Sequence, residues 1–245
     1  MGCGTSVEVS MEDKFDDILQ LESFSKKYGT TCWTDNESFD RHGFLVVQNI
    51  VDPNVFYDSV PDKRGQYNYH LHREEPDYHE LETQVPVSTS RYNYPKYRYH
   101  YNQVRKKLEQ AIGKDLINTY YFDRFYYYGS ELVKHRDRHS CEISVTIHLD
   151  TNIKKNWPVK VQSYSGQVYS INLEPGDAVI YKGCELFHWR DPMPSKYNKI
   201  ERGIRKLLKK DDDSYYHQIF CHFVLADGLR NFFGYDATLN MADYE

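Results

Sequence analysis

The sequence lacks paired cysteines, long apolar runs and a surplus of basic charge. Five cysteines are dispersed and form no CxxC pair, which argues against a disulfide framework or a zinc ribbon. No apolar run approaches the roughly 20 residues of a membrane span, and no signal peptide is recognisable, so we expect a reducing, cytoplasmic setting. The net charge of −5 argues against a dedicated nucleic-acid binder.

Aromatic residues are abundant instead. The chain of 245 residues holds 23 tyrosines and 12 phenylalanines. Aromatic side chains favour strands over helices, so the composition indicates a β-rich fold. The length suffices for one domain with a full core and does not require two.

Apolar spacing divides the chain into a helical and looped first part, 1–114, and a strand-rich core, 115–228, followed by a tail, 229–245. We predict helices over 11–24, after Asp52-Pro53, over 99–112 (closed by Gly113) and over 197–210. A strand is predicted over 43–50, and long loops with short strands over 60–100. Eight further strands are predicted over 119–128, 132–137, 142–149, 158–164, 167–173, 177–181, 185–190 and 216–225. Short strands at even spacing indicate a mainly β (α+β) chain, built as one barrel or jelly roll.

Three residues of this core form a candidate metal site. His135 and Asp137 stand two apart in a strand, so they face the same way. His188 lies in a later strand, after a Pro-Gly-Asp turn at 175–177. Two histidines and one carboxylate on one face leave three coordination positions open, which is the arrangement of non-haem Fe(II) oxygenases. We therefore predict His135, Asp137 and His188 as iron ligands and catalytic residues.

These motifs resemble the Fe(II)/2-oxoglutarate-dependent oxygenases, closest to their prolyl 4-hydroxylase-like branch. The matching pieces are Phe125–Gly129 before the HxD motif, Cys141–Leu149 after it, Glu174–Tyr181, and His188 beyond. The resemblance implies a double-stranded β-helix. It also implies a hydroxylase that consumes 2-oxoglutarate and O2 on Fe(II), releases succinate and CO2, and uses ascorbate in some members.

The co-substrate site departs from the family pattern. That pattern places a Lys or Arg on the last core strand to bind the 5-carboxylate of 2-oxoglutarate, yet residues 216–225 contain neither. Arg190, two residues after His188, is the best substitute, and a barrel-closing ion pair with Asp191 is its alternative role. Tyr128 or Tyr126 resembles the family tyrosine that bonds the co-substrate, with core packing as the alternative. Thr146 and His148, on one face with Ser144, could hydrogen-bond the co-substrate or each other.

The substrate is not identified by these motifs. Tyrosines and basic residues crowd 91–101, where they could line a peptide groove or cover the barrel. Peptidyl-prolyl hydroxylation is the leading hypothesis by analogy of fold, small-molecule hydroxylation follows closely, and a nucleic-acid substrate is disfavoured. A non-enzymatic, cupin-like metal-binding barrel is the rival of a different class.

Overall fold

A computed structural model of the chain describes residues 36–70, 73 and 75–237. The helix predicted over 11–24 lies outside these residues. Two sheets form the body of the described part, and they hold twelve strands: β1 (Phe44–Val47), β2 (Gly65–Asn68), β3 (Asp77–His79), β4 (Ser88–Tyr92), β5 (Leu116–Tyr127), β6 (Leu132–His135), β7 (Ile143–Thr151), β8 (Val159–Gln162), β9 (Val168–Ile171), β10 (Ala178–Lys182), β11 (Phe187–Arg190) and β12 (Tyr215–Leu225).

The larger sheet has the order β1-β10-β7-β12-β5-β4-β2-β3, and the smaller sheet has the order β6-β11-β8-β9. Neighbouring strands are antiparallel except β2 and β4, which pair in parallel. Strands thus alternate between the sheets along the core, from β5 to β6 and from β10 to β11. This arrangement is the jelly roll that the sequence predicts, and all eight strands predicted after residue 115 are present.

Three helices accompany the sheets: α1 (Asn36–His42), α2 (Arg98–Ile112) and α3 (Lys199–Leu207). Helix α2 confirms the prediction over 99–112, and Gly113 closes it in the left-handed conformation, with φ of 64°. The helix predicted after Asp52-Pro53 is only one 3-10 turn, Pro53–Phe56, capped by the Asp52 carboxylate. None of the helices in the described part of the chain combines the length and apolar character needed to cross a bilayer.

Alternation along β7 shows how the core is divided. Val145 and Ile147 pack with α2 in a buried cluster on the outer face of the large sheet. Ser144, Thr146 and His148 point the opposite way, into the space between the sheets. Two further apolar clusters lie in that space, one around Phe122 and Tyr126 and one around Val161 and Tyr181. Polar side chains of β7 therefore face an otherwise apolar interior, where each needs a partner or a ligand.

Candidate metal centre

The three predicted ligands converge at one end of the barrel. His135 ends β6 and lies directly opposite His188 of β11. Oδ1 of Asp137 lies 3.4 Å from Nε2 of His135 and 3.3 Å from Nε2 of His188. Adjacent ligands of a six-coordinate ion with bonds of about 2.1 Å are roughly 3 Å apart, so one cation fits between these three atoms.

Backbone contacts fix the tautomers of both imidazoles. Nδ1 of His135 lies 2.7 Å from the Val133 carbonyl oxygen, and Nδ1 of His188 lies 3.1 Å from that of Leu186. Carbonyls only accept, so each Nδ1 carries the proton and each Nε2 presents its lone pair to the centre. The two histidines are thus held in the form that binds a metal.

Asp137 is held by its own set of contacts. Its backbone N–H donates to the Gly183 carbonyl at 2.9 Å, and the Ser144 hydroxyl donates to Oδ2 at 2.7 Å. Burial opposes ionisation, but His188 and His135, when a proton rather than a metal ion occupies Nε2, are positively charged donors to this carboxyl, and they hold its pKa well below its ordinary value. Asp137 is therefore an anion with Oδ1 directed at the two Nε2 atoms, which is the donor set that a divalent cation requires.

A small pocket of about 60 Å³ opens onto the ligands. Near-parallel aromatic rings form one wall: Tyr92 lies 4.5 Å from Phe122, and Phe122 lies 4.5 Å from Phe220. Tyr120, Leu132 and Tyr181 also line the pocket, together with polar side chains that include the ligands, Gln84 and His222. The space beside the metal-binding atoms thus has one aromatic wall, which a small apolar group could contact.

Gln84, which no sequence motif predicts, lines the pocket as well. Its Nε2 lies 3.0 Å from Nε2 of His135, and its Oε1 accepts a hydrogen bond of 3.0 Å from Arg124. The Arg124 guanidinium is fully buried and pairs with Glu82 at 2.8 Å. Segment 80–87 is therefore fixed across the barrel mouth by an ion pair to β5. The signal in the sequence was Arg124 itself, a charge inside an aromatic strand.

Arg190 lies inside the barrel, as the alternation predicts. It is 1% exposed, and its guanidinium lies 4.5 Å from the Trp157 ring and 4.7 Å from the Tyr216 ring. Nη1 donates to the Trp157 carbonyl, while Nε has no hydrogen-bond partner among the described residues. Asp191, its alternative partner, pairs instead with Lys160.

His148 approaches the same tyrosine. Its ring stacks on Tyr216 at 4.1 Å, and its Nδ1 lies 2.7 Å from the Leu173 carbonyl oxygen. Burial lowers the pKa of His148 to about 4. Its Nε2 is buried without a hydrogen-bond partner among the described residues. Arg190 and His148 thus flank Tyr216 with two unsatisfied polar atoms, as expected of a site that holds a polar ligand.

The remaining predicted residues separate into two groups. Tyr126 is fully buried, with its hydroxyl 3.3 Å from Arg124, and Thr146 is buried with Oγ1 3.5 Å from the Tyr181 hydroxyl. Tyr128 does not reach the interior: it follows the end of β5, is 40% exposed and accepts a hydrogen bond from Arg202. Of the two tyrosines considered, the structure brings only Tyr126 into the barrel.

The tyrosines of the stretch 91–101 lie in different environments. Tyr92 lines the pocket, whereas Tyr97 and Tyr101 are buried in the core and Tyr99 is 67% exposed. Tyr101 donates from its hydroxyl to the His222 carbonyl at 2.6 Å. Most of this stretch therefore supports the barrel, and a continuous tyrosine-lined groove is absent from the described part.

Comparison with known proteins gives a consistent picture of the fold. No protein-family model and no curated protein matches the sequence. Among solved structures, a prolyl-4-hydroxylase of Pseudomonas putida matches with 11% identity, a TM-score of 0.50 and coverage of 78% of this chain and 98% of that one. A prolyl hydroxylase from Trichoplax adhaerens, in complex with a peptide fragment of the hypoxia inducible factor oxygen degradation domain, matches with 11% identity, a TM-score of 0.51 and coverage of 88% and 94%.

A third match is the non-heme alpha ketoglutarate dependent epimerase SnoN from nogalamycin biosynthesis, with 9% identity, a TM-score of 0.50 and coverage of 78% and 81%. At such identities the likeness concerns the fold, and the site has to be argued from its own residues. The chain has the double-stranded β-helix fold of the Fe(II)- and 2-oxoglutarate-dependent oxygenases.

Proposed function

We propose that this protein is an Fe(II)- and 2-oxoglutarate-dependent dioxygenase that hydroxylates a substrate C–H bond. The observation that carries the proposal is the convergence of His135 Nε2, Asp137 Oδ1 and His188 Nε2 beside a small pocket with an aromatic wall. Bound Fe(II), with 2-oxoglutarate and O2, would supply the oxidising chemistry and release succinate and CO2. The protein would contribute the ligand geometry and a dry, shaped cavity.

The co-substrate would lie between the ligands and the Arg190 end of the barrel. Arg190 supplies the positive charge that a buried 5-carboxylate needs, and its unpartnered Nε is a donor for it. His148, Tyr126 and Thr146 add polar atoms around the same interior. Tyr216 stands on β12, the last core strand, on which the family carries its basic residue, and the Arg190 guanidinium lies over that ring. Arg190 on β11 would thus supply the positive charge for the 5-carboxylate, which no lysine or arginine on β12 can supply.

The small aromatic pocket supports a substrate that inserts a compact apolar group. A peptidyl-prolyl ring has that character, and the Trichoplax neighbour was solved with a peptide. A small-molecule substrate fits the same pocket and is the alternative within this function. The free thiols of Cys141, Cys184 and Cys221 support a cytoplasmic location.

A non-enzymatic metal-binding barrel is the second candidate, and Gln84 is the observation that favours it. Its amide nitrogen already contacts the metal-binding atom of His135. In such a protein Gln84 would keep the site closed, and no succinate would form. In an active enzyme, the Gln84 amide must move away from Nε2 of His135 when the metal ion binds.

The test is anaerobic addition of Fe(II) and 2-oxoglutarate, which gives a visible charge-transfer band in a working site, followed by succinate measurement in air. We expect the band in the natural chain and its loss in Asp137→Ala. Asp191→Ala, at an exposed carboxylate paired with Lys160, is the matched control and should keep the band. A band of unchanged intensity in Asp137→Ala would refute the ligand assignment, and a band without succinate for any substrate would favour the non-enzymatic barrel.

A further inference from the structure

Helix α3 presents large aliphatic side chains to solvent. Ile200 is 75% exposed, Ile204 is 53% exposed and Leu207 is 83% exposed, and Leu208, just after the helix, is 59% exposed. Spacings of four and three residues place the first three on one face, hereafter the α3 stripe. A contiguous apolar face of this kind usually marks an interaction site.

Two arginines of the same helix face the protein body, whereas its lysines stay exposed beside the stripe. Arg202 donates to the Tyr128 hydroxyl, and Arg205 donates to the Asp211 carbonyl and pairs with Asp213 at 3.3 Å. A cleft of about 610 Å³ lies between the helix and Tyr128, and lysines 199, 206, 209 and 210 line it. An ordinary surface helix buries its apolar face and exposes its charged residues. Helix α3 has the opposite orientation, because its apolar face is exposed and its arginines contact the protein.

Local sequence fixes this helix independently of the stripe. The Asn198 side chain accepts from the backbone N–H groups of Ile200 and Glu201, and the Glu201 carboxylate accepts from the Asn198 N–H. This capping box defines the first turn without any contact from the stripe. The exposed aliphatic side chains therefore belong to a helix that forms without their packing, and they are accessible to a binding partner.

The chain carries a segment that complements this helix in both apolar pattern and charge. Residues 11–24 place apolar side chains on roughly one face of a predicted helix, at Met11, Phe15, Ile18, Leu19 and Leu21. The segment has five acidic residues and one lysine, whereas 199–210 has six basic residues and one glutamate. Apolar faces that pair with opposite charges along their flanks are the arrangement that stabilises two packed amphipathic helices.

The connection is long enough for this contact within one chain. Residues 25–35 link the segment to α1 and can span about 36 Å. Strand register places the end of α1, beside Lys182, at the level of Phe223, while α3 adjoins the Tyr215 end of β12. That separation is eight residues of β12, roughly 26 Å along the strand, and β1 lies three strand spacings from β12, roughly 14 Å across the sheet, so the two ends are about 30 Å apart. The tether also raises the local concentration of the segment.

We propose that residues 11–24 dock as an amphipathic helix on the α3 stripe of the same chain, with their acidic side chains beside the lysines of the cleft. An anionic bilayer is disfavoured because the chain carries −5 overall although α3 is basic, so the rest of the surface would be repelled. A second copy is disfavoured because it would bring two basic helices together.

Carbodiimide cross-linking of the full-length protein tests this contact, because it joins carboxylates to lysine amines in direct contact without engineered residues. We expect mass spectrometry of the monomer to show links from the acidic residues of 11–24 to lysines 199, 206, 209 or 210. Leu207→Ser should lower their yield roughly tenfold, since burial of one leucine contributes that much to the equilibrium. Leu229→Ser, at a leucine that is 94% exposed away from α3, is the matched control and should leave the yield unchanged.

Hydrogen exchange of the α3 amides provides an independent readout. Ile18→Ser, which changes the segment and not the helix, should speed exchange over 199–207 to the same extent as Leu207→Ser. Links found only in covalent dimers would assign the stripe to a second copy and overturn the proposal. Sedimentation with vesicles of anionic phospholipid that is lost in Leu207→Ser, without cross-links, would assign it to a membrane and overturn the proposal. Absence of any link, with unchanged exchange in Ile18→Ser, would overturn it as well.

Discussion

Asp123 and Arg124 are consecutive charged residues in the middle of β5, and both are fully buried. Because a strand alternates faces, they point to opposite sides of the large sheet. Asp123 pairs with Arg91 on one side, and Arg124 pairs with Glu82 on the other. A buried charge without a partner costs several kcal/mol, so each of these pairs constrains the segments that carry its two members. The second pair brings Gln84 to the metal centre.

Gln84→Ala should strengthen metal binding. The natural amide competes for the Nε2 lone pair of His135, and this hydrogen bond is worth about 1 kcal/mol, so its loss should tighten Fe(II) or Co(II) binding roughly fivefold. Anaerobic metal titration followed by calorimetry gives the affinity. Gln162→Ala, which removes an exposed contact to Lys134, is the control. Weaker binding in Gln84→Ala would show that the amide is itself a ligand.

Arg190→Ala should raise the 2-oxoglutarate concentration needed for half-maximal succinate formation while leaving metal affinity unchanged. The lost charge-assisted hydrogen bond is worth about 1.5–3 kcal/mol, or roughly tenfold to a hundredfold in co-substrate affinity. Arg190→Lys should recover part of the lost co-substrate affinity, since lysine restores the positive charge but lacks the planar guanidinium that can bind a carboxylate with two hydrogen bonds. Arg73→Ala, at an exposed arginine, should change nothing. Normal co-substrate affinity in Arg190→Ala would exclude this residue as the anchor.

Single turns between strands decide whether the ligands converge. In the turn between β10 and β11, a Cβ at Gly183 would lie 2.4 Å from the Cys141 carbonyl oxygen and 2.5 Å from Oδ2 of Asp137. The backbone of this turn therefore occupies the space that would otherwise hold a side chain, and it also accepts the hydrogen bond from the Asp137 N–H. The position of the carboxylate ligand depends on a glycine from another strand pair.

Gly183→Ala should destabilise the fold by about 1–3 kcal/mol through overpacking, and it should weaken metal binding because Asp137 is displaced. Gly203→Ala is the matched control: a Cβ there meets nothing within 4 Å, and alanine in a helix should stabilise α3 by up to about 1 kcal/mol. Thermal unfolding with and without added metal measures both effects. Equal metal-induced stabilisation in the two variants would contradict the role given to the turn.

Elements fixed by local pattern could be predicted from the sequence, and contacts between distant segments could not. Alternation and turn residues predicted the core strands and the shared face of His188 and Arg190, whereas Asp137 follows the end of β6 and is held by the Gly183 carbonyl instead of by strand alternation. The contact of Gln84 with His135 joins residues 51 apart through a loop without periodicity, so no spacing rule reaches it. The choice between Tyr126 and Tyr128 stayed open in the sequence because three successive tyrosines conceal the end of β5, which lies one residue before Tyr128. The outward orientation of the apolar face of α3 could not be predicted. Amphipathic spacing shows that one face of a helix is apolar, but it does not show whether that face contacts the protein or solvent.

At the scale of the whole barrel, the buried carboxylate of Asp123 connects three neighbouring strands of the large sheet. Its Oδ2 lies 2.5 Å from Nη2 of Arg91 on β4 and 2.8 Å from Nε2 of His217 on β12. Burial opposes ionisation of this carboxyl, but the bonds from His217 and Arg91 outweigh it and lower its pKa. Since the pKa in the folded state lies below that of the unfolded chain, the ionised carboxylate stabilises the fold above about pH 4, and this contribution is lost as the pH falls through the folded-state pKa.

Asp123→Asn should therefore lower the free energy of unfolding at neutral pH by about 3–5 kcal/mol, because Arg91 is left buried without its counter-charge. The difference between the natural chain and the variant should shrink as the pH is lowered below about 4, since the natural carboxylate then becomes protonated as well. Urea unfolding at a series of pH values measures this difference directly. Asp191→Asn, at an exposed carboxylate paired with Lys160, provides the baseline and should show only a small change. A difference for Asp123→Asn that stays constant from neutral to acidic pH would mean that the carboxylate charge does not hold β4, β5 and β12 together, and that packing of the aromatic strands alone supports the barrel around the metal centre.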